Sequence, residues 1–211
     1  MNFISVSCLL LCGVFACVHS ISDNTTVRVS IYYECLCPDS INFINNQLYP
    51  NYQNLKDKIT VDFVPYGKAS QTKSSEGSWT FRCQHGPDEC RGNKYQACAL
   101  DQKRGQDNDV KLVNCIMALA DPSDPDEIKD CAVNNGYNWS TITTCYESNR
   151  ASELLALYGQ RTLNVSPKIR FIPTIIFDGQ FDQDLQNESL YNFLGATCSK
   201  IPKPTPDVCK G

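Results

Sequence analysis

The chain predicts an α/β domain interrupted by a disulfide-rich helical insertion, on three observations. Two alternating, β-branched segments flank an apolar helical pattern near the start. The middle of the chain is helical in character and carries six cysteines between Cys83 and Gln160. A proline-led apolar strand pattern then resumes at Ile172.

Each element follows from its pattern. Val27 to Tyr33 alternates and is β-branched, which predicts a strand. Cys37-Pro38 follows, then Ile41, Phe43, Ile44 and Leu48 at helical spacing, with Pro50 near the expected helix end. Pro38 suits a first helical position, where its missing N–H costs nothing. Ile59 to Pro65 is a second alternating strand, so the start of the chain predicts a parallel pair joined by a crossover helix. Lys68 to Gly77 is polar and reads as loop. The insertion, about 83–165, is expected to lack an independent core, although Leu112, Val113, Ile116 and Leu119 keep helical spacing, as do Leu154, Leu155 and Tyr158. After Ile172-Pro173-Thr174-Ile175-Ile176-Phe177, Asp178-Gly179 predicts a hairpin with Phe181 on the return strand. A last helix is expected over Leu185 to Ala196, then a Pro-rich tail, about 199–211, carrying Cys209. This order of elements is that of thioredoxin-like folds.

The N-terminus and the cysteines set the compartment. Ile4 to Val18 is one apolar run, and no charged side chain occurs from Met1 to Ile21. It is shorter than the ~20 residues a membrane span needs and ends in Val18-His19-Ser20, so residues 1–20 read as a cleaved signal peptide and 21–211 as the mature domain. Of the 13 cysteines, Cys8, Cys12 and Cys17 would leave with that peptide, and an even ten remain. An even set in an exported chain reads as a disulfide framework. Asn24, Asn138, Asn164 and Asn187 each open a glycosylation acceptor pattern. The expected location is the secretory pathway, extracellular or lysosomal, with no membrane span in the mature chain. A net charge of −4 without a basic stripe argues against nucleic acid as partner.

Cys37 is the candidate nucleophile. At a helix N-terminus the unpaired N–H groups and the macrodipole favour a thiolate, the form that attacks disulfides. Ser40, one helical turn on, stands where a dithiol motif would carry its second cysteine, and its hydroxyl is placed to donate to the sulfur. Asp39 and Glu34 oppose the anion. Without a resolving cysteine, a mixed disulfide at Cys37 needs an external thiol such as glutathione or cysteine. Three roles stand open for Cys35: a resolving thiol sharing a strand face with Cys37, a buried thiol, or a framework bond. A framework bond is also the structural alternative for Cys37. In thioredoxin-like folds a cis proline faces the reactive cysteine and the backbone before it pairs with substrate. Pro173 occupies that slot, or it merely begins a strand.

The most specific motif runs Cys83-Gln84-His85-Gly86-Pro87-Asp88-Glu89-Cys90-Arg91-Gly92-Asn93 and closes at Cys98. It resembles, at each defined position, the signature of the gamma-interferon-inducible lysosomal thiol reductase (GILT) family. Tyr32-Tyr33-Glu34, Val64-Pro65-Tyr66-Gly67, the Pro173 strand and Pro206-Asp207-Val208-Cys209 extend the resemblance over the mature chain. It implies a thioredoxin-like fold with a helical insertion, and reduction of protein disulfides in an acidic endolysosomal or extracellular setting. The family's Cys-X-X-Cys falls on Cys37 and Ser40, so the nucleophile carries over and the resolving cysteine does not.

From the residues themselves, the signature reads as a disulfide-pinned turn held by hydrogen bonds of His85 and Glu89. A zinc site on Cys83, His85 and Cys90, or His85 as a proton shuttle, are the alternatives. Export favours disulfides over free thiolates, so neither metal nor other cofactor is expected. Cys83, Cys90, Cys98, Cys115, Cys131, Cys145, Cys198 and Cys209 are assigned to structural disulfides, with Cys198–Cys209 as the one specific pairing, tying tail to last helix. Two functions compete: an enzyme acting on protein disulfides through Cys37, and a catalytically impaired secreted binding protein acting in host defence or protein interaction. Retained Cys37-Pro38 and Pro173 favour the first, and Ser40 favours the second.

Overall fold

The computed structural model describes residues 26–210. The signal-peptide assignment, with Cys8, Cys12 and Cys17, and the acceptor Asn24 lie outside the described residues. A three-stranded sheet anchors the molecule, in the order β2-β1-β5. β1 (Val27–Tyr33) pairs parallel with β2 (Ile59–Pro65), Val27 opposite Ile59 and Tyr33 opposite Pro65. β5 (Thr174–Phe177) pairs antiparallel with β1, Tyr32 opposite Thr174. As the central strand, β1 is buried at every residue but Arg28, as a strand covered on both faces requires.

The crossover between β1 and β2 is longer than its sequence predicts. α1 (Pro38–Phe43) leads into a π-helical turn, Ile44–Leu48, and then α2 (Tyr49–Leu55). Pro50 therefore does not end the helix. It sits in the first turn of α2, just after the widened π turn, where a missing N–H is tolerated. Phe43, Ile44, Leu48, Tyr52 and Leu55 all turn inward and pack on the sheet.

Three local expectations need correction. The Lys68–Gly77 segment is not simply loop: β3 (Ser70–Lys73) and β4 (Trp79–Arg82) form a hairpin, Ser70 opposite Arg82. This small sheet is half exposed and largely polar, so it lacks an apolar alternation, and Lys73 lies over the Trp79 ring at 5.2 Å. At Asp178-Gly179 both residues take positive φ, as a tight turn demands, but only a bridge from Phe177 to Gln180 follows. There is no return strand at Phe181, because Asp182 caps α8 (Gln183–Ser189) by accepting from Leu185 N–H. The last helix is two helices: Asn192 accepts from Gly195 N–H and starts α9 (Phe193–Lys200) anew.

The insertion comprises α3 (Pro87–Leu100), α4 (Gln106–Met117), α5 (Pro125–Asn134), α6 (Trp139–Glu147) and α7 (Asn149–Leu163). Contrary to expectation it has an apolar cluster of its own, built on residues such as Leu112, Ile116, Ile128, Ile142 and Leu154. The reason lies in α4, which buries two faces. Val110, Val113 and Met117 join the sheet-side core, while Leu112 and Ile116 join the insertion's. Four disulfides lock this frame: Cys83–Cys90, Cys98–Cys145, Cys115–Cys131 and Cys198–Cys209. The last ties the tail, whose turn spans Asp207–Cys209, to α9. Asn138, Asn164 and Asn187 are all exposed. Among the described residues no helix is long and apolar enough to cross a membrane.

Candidate active site

Cys37 lies where the sequence places it, at the N-cap of α1, between the end of β1 and Pro38. Its N–H donates to the Glu34 carbonyl at 3.3 Å, and its carbonyl accepts Ile41 N–H at 3.0 Å. Among the described residues it and Cys35 are the cysteines outside disulfides. The Cys37 thiol donates to the carbonyl oxygen of Ile172 at 3.6 Å. The Ile172-Pro173 peptide is cis and leads straight into β5, so Pro173 and Cys37 face each other across the edge of the sheet.

The loop holding Pro173 is pinned by a residue the sequence did not single out. Gln186 of α8, itself buried, donates to the Pro173 carbonyl at 2.9 Å and accepts Ile175 N–H at 2.8 Å. Beside this loop opens a cavity of about 400 Å³, lined in part by Lys168, Arg170, Phe171, Thr174 and Phe181. Its lining includes Phe171 and Thr174, the residues on either side of the Ile172-Pro173 peptide.

Ser40 is fully buried, and its hydroxyl oxygen accepts Glu34 N–H at 3.4 Å. Its hydrogen bond is thus to the end of β1, not to the Cys37 sulfur.

Cys35 does not share a strand face with Cys37. β1 stops at Tyr33, and Cys35 sits in the turn that follows. There its N–H donates to Asn93 Oδ1 at 3.0 Å and its thiol to the Glu89 carbonyl at 3.4 Å, both on α3. Burial pushes its thiol well above the usual cysteine range, and the neighbouring Glu89 carboxylate adds to the shift. Two thiols two residues apart therefore face different elements, Cys35 the insertion and Cys37 the Pro173 loop. Gly92 makes room for this packing: a Cβ there would fall 2.6 Å from Cys35 Sγ.

The signature region forms a tight turn closed by Cys83–Cys90, with Gly86 at φ 92° leading into α3. That bond consumes two of the three ligands of the zinc site read from sequence, so Cys83, His85 and Cys90 cannot hold zinc together. His85 and Glu89 bond within the turn: His85 N–H donates to Glu89 Oε1 at 3.1 Å, and His85 Nδ1 lies 2.5 Å from Glu89 Oε2. A third residue joins them. Glu34 Oε2 lies 3.5 Å from His85 Nδ1, while Glu34 Oε1 accepts Lys68 N–H at 2.6 Å. Burial raises the Glu34 carboxyl to about 7, the Lys68 N–H holds it back, and the Glu89 carboxylate raises it further. Gly67, at φ 59°, is required here, since a Cβ would meet the Glu34 side chain at 2.1 Å. The signal for this convergence was present in Tyr32-Tyr33-Glu34 and in the signature, but nothing in either says that they meet.

The comparisons with known proteins agree with this architecture. The family model described as gamma interferon inducible lysosomal thiol reductase (GILT) matches residues 28–135. GILT-like protein 1 of Drosophila melanogaster is 36% identical over 98% of this chain and 86% of its own length. The gamma-interferon-inducible lysosomal thiol reductase of Carassius auratus is 31% identical over 87% of this chain and 72% of its own. Among solved structures, MdbA, a thiol-disulfide oxidoreductase from Actinomyces oris, superposes with a TM-score of 0.58 at 13% identity, covering 86% of this chain and 83% of that one. Chlamydia trachomatis DsbA gives 0.55 at 13% identity, over 78% and 82%. These likenesses establish a thioredoxin/DsbA-like fold, and the sequence matches place the chain in the GILT family.

Proposed function

We propose that this chain is a thiol-disulfide oxidoreductase of the secretory pathway, extracellular or endolysosomal, acting on protein disulfides through Cys37. The Cys37 thiolate attacks one sulfur of a substrate disulfide. The substrate S–S bond breaks, a Cys37–substrate disulfide forms, and the departing substrate thiolate takes a proton from solvent. Ser40 has no sulfur with which to displace the bound substrate. A small thiol such as glutathione or cysteine attacks Cys37 Sγ instead, releasing the second substrate thiol. A second molecule of the same thiol then frees Cys37. The substrate disulfide is reduced, and two small thiols leave as their disulfide.

The observation that carries this reading is the position of Cys37. It is left out of the disulfide framework at a helix start, and its sulfur meets the Ile172 carbonyl of the Pro173 loop.

The test is reduction of a folded disulfide protein with added glutathione, at acidic and neutral pH, by the parent and Cys37→Ser. Loss of the catalysed rate in the variant supports the reading. Equal rates would sink it and leave the secreted binding protein, favoured by Ser40, as the function.

A further inference from the structure

We propose that Glu34, His85 and Glu89 form a binding site for one divalent transition-metal ion, of the zinc class, between the end of β1 and the disulfide-closed turn before α3. Each of the three residues places one ligand atom within 4.8 Å of those of the other two. Their arrangement is that of potential ligands gathered at one point and anchored by the backbone. Each carboxylate has one oxygen tied down by a backbone N–H, Glu34 Oε1 by Lys68 and Glu89 Oε1 by His85. Each then turns its other oxygen toward the same imidazole nitrogen, at 3.5 and 2.5 Å.

Glu34 Oε2 is the observation that points to a ligand. Its side chain is fully buried, and that oxygen has no hydrogen-bond partner. Buried polar atoms are almost always satisfied, and an orphan in a rigid site asks for a missing group. Two carboxyl groups with 0% side-chain exposure converge on the same ring nitrogen, an arrangement that a dication would stabilise. The glycine at position 67 leaves open the space that the Glu34 carboxylate fills.

The spacing fits the chemistry. Tetrahedral zinc with bonds of ~2.0–2.2 Å sets its ligand atoms about 3.3–3.6 Å apart. The His85–Glu34 pair already has that separation, and the His85–Glu89 pair reaches it by opening about 1 Å as its hydrogen bond gives way to the metal. One imidazole and two carboxylates suit zinc, iron or manganese, and not copper(I) or a thiolate-seeking ion. His85 is 40% exposed, which gives the ion a route in and leaves the fourth position to water. A bound ion would brace the turn at the very residue whose carbonyl receives the Cys37 N–H.

The experiment is calorimetric titration of zinc chloride into the mature chain at neutral pH, its four disulfides intact and Cys37 blocked by alkylation. One equivalent is expected to bind saturably, and His85→Ala is expected to weaken it by at least ~10-fold, since a lost ligand should cost no less than a lost outer-shell partner. Glu34→Gln and Glu89→Gln alter buried groups, so exposed His85 carries the mutational test, with unchanged circular dichroism as the control for folding. Cobalt(II) gives an independent readout: visible bands of a nitrogen–oxygen site, lost in His85→Ala, support the assignment. Absence of saturable zinc binding, equal binding by His85→Ala, or a thiolate-to-cobalt charge-transfer band would overturn it.

Discussion

Cys37 Sγ sits 3.6 Å from the carbonyl oxygen of Ile172, a contact that joins residues 135 apart in the chain. It links the start of the first helix to the start of the last core strand. The neighbouring thiol, Cys35, makes no such contact and is held under α3. The two thiols at this end of the sheet, both buried, are thereby held by different elements, Cys37 by the Pro173 loop and Cys35 by α3.

That division predicts selective labelling. Cys37 retains 8% exposure at the rim and Cys35 has none. Iodoacetamide is expected to modify Cys37 in the native protein and Cys35 only after unfolding, as read by peptide mass spectrometry. Equal labelling of the two under native conditions would contradict the placement of Cys35.

Ser40→Cys puts a thiol one helical turn from Cys37. Mixed disulfide trapped between the parent and its substrate is expected to fall on the order of 10-fold or more, because release becomes an intramolecular attack. Non-reducing gels of quenched reactions measure it. Adduct levels matching the parent's would mean that position 40 cannot reach the Cys37 sulfur.

Gly92 is the close-approach point between α3 and the Cys35 turn. Gly92→Ala would bring a Cβ to 2.6 Å from Cys35 Sγ and 3.0 Å from the Pro122 carbonyl. Overpacking of this kind typically costs ~1–3 kcal/mol. Urea denaturation should show a lower midpoint with an unchanged slope, and a midpoint equal to the parent's would refute the packing.

Asp62 supplies a pH dependence. Burial alone would raise its carboxyl, but hydrogen bonds from Arg28, at 2.6 Å, and from Arg161 hold it below the ordinary value. A folded-state value below the unfolded one means stability that is present above the unfolded value and lost as pH falls through the folded one. Asp62→Asn is therefore expected to lose ~1–2 kcal/mol at neutral pH, a modest figure because both arginines are partly exposed. The gap should close as pH drops below ~3.9. Thermal melts across pH check it, and a gap independent of pH would rule out the ion pair as its source.

Some of this molecule was legible in its residues alone. Two β-branched segments, Val27–Tyr33 and Ile59–Pro65, with an apolar helix between them predict a parallel pair, because a crossover helix brings the chain back in the same direction. Pro38 marks the helix start, and with it the position of Cys37, for a reason contained in one residue's geometry. Two of the insertion's five helices, α4 and α7, were likewise visible in spacing, and the Cys83–Cys98 signature carried the family.

What escaped the sequence depends on groups that meet only in space. The β3–β4 hairpin has too little apolar alternation to announce itself, since neither of its faces is deeply buried. Cys35 and Cys37 looked like neighbours on one strand, but the strand ends at Tyr33, and a turn then sends the two sulfurs to different partners. The Cys198–Cys209 pairing was legible in the sequence, whereas Cys98–Cys145 and Cys115–Cys131 followed from how α3 packs on α6 and α4 on α5. Local sequence determined that Cys37 stands at the head of a helix, among an even set of framework cysteines. The tertiary structure decided between the two sequence readings of Pro173, and it alone decided that Cys35 does not share the site of Cys37. It also decided that Glu34, His85 and Glu89 converge, because side-chain direction in turns and contact across elements are set by packing rather than by spacing along the chain.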